Sequence, residues 1–70
     1  MKKKILFLGA SQAQIPAIKY AKKIGLHVIS CDQNKNSPGF KYSDENYRVS
    51  TTNKKKILKI SQKLKINGIV

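Results

Sequence analysis

The chain has 70 residues, with 15 Lys and Arg against 3 Asp and Glu and a formal net charge of +12. That length allows one domain at most, and so short a chain buries only about 60% of the surface its unfolded form exposes. The single cysteine, Cys31, excludes an internal disulfide, and 1 His with 3 acidic residues is too few for a convincing metal site.

Lys3 to Leu8 forms a nearly continuous apolar run, the pattern of a strand buried on both faces of a parallel sheet. After the small-residue turn Gly9-Ala10-Ser11, Ile15, Ile18, Ala21 and Ile24 recur at helical spacing, with Lys19, Lys22 and Lys23 on the other side. Pro16 is tolerated only in a first helical turn, so the helix is expected to begin between Ser11 and Ala13 and to end at Gly25. His27 to Cys31 is a second β-rich run, with Asp32 at its end. Asn34 to Ser43, which contains Pro38-Gly39, reads as loop, and Asn46 to Ser50 as a short third strand near a sheet edge. Thr51 or Thr52 is expected to cap a second helix carrying Ile57, Leu58, Ile60, Ser61 and Leu64. Asn67-Gly68 then turns the chain into a fourth strand, Ile69-Val70.

Strands and helices alternating at this length give an α/β, Rossmann-like three-layer fold with a parallel sheet over residues 1–70. The expected strand order is 3-2-1-4, truncated in strand 4, with the ligand crevice over Gly9 to Gln12 where the order reverses. A truncated sheet leaves the edge of strand 4 open, which predicts self-association.

The charge invites a nucleic-acid-binding reading, in which clustered cations release counterions from phosphates. Every basic residue except Arg48 is Lys, however, whereas planar phosphate recognition favours Arg. Abundant Lys, Ile and Asn are what A/T-rich codons produce, so composition accounts for the charge without a nucleic acid. No segment reaches the eighteen or so apolar residues of a membrane span, and the lone Cys fits a reduced, cytoplasmic setting.

The Gly9 to Gln12 turn can bind an anion through free amides and the helix dipole, or it can be a tight connection capped by Ser11. A dinucleotide fingerprint requires Gly at Ser11 and Gln14 as well, so only Gly9 matches. Asp32 lies where a Rossmann domain places its ribose-binding acid, but it also suits an Asx-turn onto Asn34. Cys31, in an apolar run without a nearby His, reads as an inert thiol. His27 reads as a surface residue, and Phe40 and Tyr42 as packing of the loop onto the sheet edge.

The order of three motifs, Gly9 to Pro16, Asp32 to Gly39 and Tyr42-Ser43-Asp44, resembles the N-terminal domain of ATP-grasp ligases, the pre-ATP-grasp domain. The carbamoyl-phosphate synthase large-chain-like members are the closest in pattern, and the resemblance covers nearly all of the chain. It implies a parent enzyme that uses ATP and Mg2+ to activate a carboxylate as an acyl phosphate for attack by an amine. The ATP clamp and metal-binding carboxylates of that family lie in downstream ATP-grasp domains, so the resemblance implies no cofactor and no catalytic residue in this chain. It makes Gly9, Ala10, Ser11 and Gln12 candidates for contact with a small-molecule substrate, with Asp32 beside them. A small nucleotide- or dinucleotide-binding module and a basic nucleic-acid-binding protein are the alternatives.

Overall fold

The computed structural model describes residues 2–70. Four strands, β1 (Lys4–Leu8), β2 (His27–Asp32), β3 (Glu45–Arg48) and β4 (Gly68–Ile69), form one sheet in the order β3-β2-β1-β4. Every pairing is parallel, with Leu6 opposite Ile29 in the central pair, Leu6 opposite Ile69 on one side and Ile29 opposite Glu45 on the other. This is the expected α/β fold and strand order.

The helices α1 (Ile15–Lys23) and α2 (Lys54–Leu64) cover opposite faces. Because side chains alternate along a strand, the apolar runs of β1 and β2 feed two cores at once. Phe7 and Val28 point to one face and pack with Ile18 and Ala21 of α1, while Leu6, Ile29 and Cys31 point to the other, against Ile57, Ile60 and Leu64 of α2. Each large aliphatic side chain so buried contributes about 1.5 to 3 kcal/mol over leaving it exposed. That double burial explains why β1 and β2 show no hydrophobic alternation.

Several local expectations shift. The α1 helix proper starts at Ile15, preceded by a single 3-10 turn over Gln12–Gln14 with Ser11 before it. Pro16 still falls in the first α-helical turn, where it displaces no hydrogen bond. The cap of α2 is Asn53, whose side chain accepts from the Lys56 amide at 3.2 Å, because Ser50 and Thr52 bond to one another at 2.8 Å in a turn of their own. The third strand occupies Glu45–Arg48, ending where the Val49 amide curls back onto the Tyr47 carbonyl at 3.0 Å.

At the end of α2 the reversal is made by Lys65, and Gly68 already lies in β4. Asn67 pins that strand instead: its side chain accepts from the Lys4 amide and its own amide donates to the Lys4 carbonyl, both at 2.8 Å. The ending of α1 is as expected, with the Leu26 amide donating to Ala21 and the Gly25 amide to Lys22, each at 3.0 Å.

The segment expected as loop contains a second 3-10 turn, Pro38–Tyr42, packed over α1, with Lys19 Nζ 4.6 Å from the centre of the Tyr42 ring. His27 is more than a surface residue, since its Nε2 lies 2.6 Å from Glu45 Oε2 across the β2–β3 pair. Among the described residues, no helix is long and apolar enough to cross a membrane.

Candidate functional site

The segments following β1, β2 and β3 meet at the carboxyl ends of the strands around a cavity of about 420 Å3. Gly9, Ser11 and Gln14 line it from the first segment, Asp32 and Gln33 from the second, and Ser50, Thr51 and Thr52 from the third.

Gly9 makes the turn out of β1 with φ +114, a conformation that L side chains rarely adopt. The turn is closed by internal hydrogen bonds. The Gly9 amide donates to the Cys31 carbonyl at 2.8 Å, the Ala10 amide to Asp32 Oδ2 at 2.9 Å and the Ser11 amide to Gln14 Oε1 at 2.8 Å. The Ser11 hydroxyl also bonds to Gln14 Oε1. A cap of this kind, in which a side chain three residues on reaches back to the preceding amide, is half of a capping box.

Asp32 is the hinge between two segments. Its second oxygen accepts from the Asn34 amide at 3.0 Å, which is the Asx-turn, while the first holds Ala10. The Ala10 amide is the largest influence on its carboxyl and outweighs partial burial, so Asp32 sits below the ordinary carboxylate range, with Asn34, Ser37 and Gln33 assisting. It is therefore ionised at neutral pH. Beyond it, Arg48 Nε donates to the Gln33 carbonyl at 3.1 Å and fixes the β2–β3 loop.

Of the five residues singled out from the sequence, Gly9, Ser11 and Asp32 line the cavity together. Ala10 is fully buried and contributes backbone only, and Gln12 is exposed outside the cavity lining. In the sequence Gln14 stands where a glycine fingerprint fails, Ser50 reads as the end of the third strand and Thr51 or Thr52 as a helix cap, so their place in the site was not foreseen. For Gln14 a signal existed in its spacing of three from Ser11, the capping-box interval.

The other acids are engaged elsewhere. Asp44 pairs with Lys22 Nζ at 2.8 Å and accepts from the Val28 amide at 2.8 Å. Burial raises its carboxyl, but the Lys22 and Val28 hydrogen bonds and the nearby positive charge prevail and leave it lowered. Glu45 faces His27. Cys31 is fully buried, and burial pushes its thiol up, which disfavours the reactive thiolate.

No protein-family model matches the chain. Over 70 residues, all of its length, it is 29% identical to the formate-dependent phosphoribosylglycinamide formyltransferase of Prochlorococcus marinus. The chain spans 18% of the length of that relative.

Proposed function

We propose that this chain is the N-terminal, substrate-facing domain of an ATP-dependent ligase of the ATP-grasp superfamily, supplying scaffold and one wall of a substrate site without catalysing the reaction by itself. The observation that carries this reading is the similarity to the formyltransferase, an ATP-grasp enzyme, over every residue of the chain. The parallel sheet in the order β3-β2-β1-β4, with a polar cavity at the strand ends, supports it, because open α/β sheets take ligands there. The similarity falls on a formyltransferase and does not support the carbamoyl-phosphate synthase-like placement suggested by the motif order.

An enzyme of that superfamily would use ATP and Mg2+, and the acidic residues here do not fit the metal ion. Asp32 sits at the carboxyl end of β2, whereas Asp44 and Glu45 lie beside its start, each with protein partners of its own. The described residues include no cluster of three acidic, His or Cys groups. On this reading the nucleotide and metal are held by other domains of the proposed enzyme, and no chemical step is assigned to this chain. Its contribution is to position the Gly9 to Gln14 turn and Asp32 against a small-molecule substrate.

The coding sequence beyond Val70 tests the reading. An ATP-grasp domain continuing in frame is the expected result; a frame encoding an unrelated fold, or none, overturns it.

A further inference from the structure

The cavity at the strand ends carries an inference about ligand chemistry, which rests on reading that cavity as the substrate site. We propose that Gln14 and Asp32 set its specificity, so that the part of the ligand reaching the Gly9 to Ser11 turn is a hydroxyl or ammonium group and not a phosphate.

Phosphate at a strand-turn-helix junction is normally held by free backbone amides. Here the Ala10 and Ser11 amides are already bonded to Asp32 Oδ2 and Gln14 Oε1, so two protein oxygens stand where oxygens of an anion would go. To reach the turn, a phosphate would have to displace Gln14 and then lie beside an ionised carboxylate. Among the described residues, no cation lining the cavity offsets that repulsion. The chain has 15 Lys and Arg, yet none lines this cavity.

A donor group meets the opposite conditions. A carboxylate has about four acceptor positions; the Ala10 and Asn34 amides hold two of those on Asp32 in good geometry, while Ser37 and the Gln33 amide make weaker contacts that a ligand donor can replace. Gln14 packs its side-chain amide over Gly9, with Nε2 3.2 Å from where a Cβ on that glycine would lie. A hydroxyl can accept from such an amide nitrogen while donating to the carboxylate, and an ammonium group adds charge attraction to Asp32.

The test is titration of the isotopically labelled full chain with two probes at matched ionic strength, inorganic phosphate and the amino-polyol Tris in its protonated form, following the Ala10 and Ser11 amide signals. Tris is expected to shift both signals saturably, and Asp32→Asn to weaken that response about tenfold or more. Phosphate is expected to leave them unmoved in the natural chain and to shift Ser11 only in Gln14→Ala, whose retained sheet signals report folding. Saturable phosphate binding at the turn of the natural chain overturns the proposal. So does a Tris response absent from the natural chain or unchanged in Asp32→Asn, or phosphate binding that Gln14→Ala fails to create. None of these results depends on the downstream coding sequence, so failure here is distinct from failure of the ligase reading.

Discussion

The Gly39 amide donates to the Ala10 carbonyl at 2.7 Å, and a Cβ on Gly39 would lie 2.6 Å from that same oxygen. Only hydrogen at that position lets the two backbones touch. Ala10 is consequently gripped on both sides of its peptide, by Asp32 at the amide and by Gly39 at the carbonyl. The turn that forms one wall of the cavity is thus set by the β2–β3 loop as much as by β1.

Gly39→Ala tests that grip. The added methyl meets backbone, which cannot rotate away as a side-chain end can, so the loop or the turn must move. The expected cost is about 1 to 3 kcal/mol, typical of an overpacked site. Urea denaturation measures it, and a midpoint equal to that of the natural chain would show that the loop yields without strain.

Asp32 ties stability to pH. Its folded carboxyl is held below the ordinary value, so it stabilises the fold above the unfolded value of about 4, and that contribution fades as pH falls through the folded value. Asp44 acts in the same direction. The denaturation midpoint is expected to fall as pH drops below about 4, and Asp32→Asn to flatten that dependence. Asp32→Ala leaves the Ala10 and Asn34 amides without their acceptors and is expected to cost about 1 to 3 kcal/mol at neutral pH.

The strand order and both cores were legible because they rest on runs of like residues. Leu6 with Ile29, and Phe7 with Val28, needed only to be apolar and adjacent for the pattern to place them in a doubly covered sheet. The site was legible only in part. Gly9 and Asp32 announce themselves by residue type and position, but the contact of Gly39 with Ala10 joins segments far apart in sequence through backbone atoms, which leave no mark on periodicity. Gln14 was passed over for a related reason. Comparison with a glycine motif asks what is missing at a position, whereas the side chain present there fills the turn with a hydrogen bond of its own. The caps of α2 moved because Ser50 and Thr52 satisfy each other first, leaving Asn53 to serve the helix.

Lys65 closes α2 in the left-handed conformation, at φ 55, the only described non-glycine residue with a positive φ. Its backbone completes the helix end, with the Ile66 amide donating to the Ser61 carbonyl at 3.0 Å, so the conformation is imposed by the reversal into β4. Left-handed geometry costs an L-residue about 1 to 2 kcal/mol that glycine does not incur, offset in part by the greater freedom of glycine in the unfolded chain. Lys65→Gly is therefore expected to stabilise the chain by up to about 1 kcal/mol. A lower thermal midpoint for that variant would contradict the assignment of strain to this residue.

The first turn of α2 carries Lys54, Lys55 and Lys56 and no acidic residue, so three positive charges face the positive end of the helix dipole. Asn53 supplies the one side-chain cap, to the Lys56 amide. Lys55 is exposed and can be changed without disturbing that cap or the apolar side of the helix. Lys55→Glu is expected to stabilise the chain by about 0.5 kcal/mol at low salt, and Lys55→Gln by roughly half as much, since it removes repulsion without adding attraction. Both gains should shrink as salt shortens the screening length to about 8 Å at physiological ionic strength. Thermal midpoints of the three chains at low and high salt separate this from a change in helix propensity, because propensity differences among Lys, Gln and Glu are small and insensitive to salt. Equal midpoints at low salt would mean that the Lys side chains lie too far into solvent to feel the dipole.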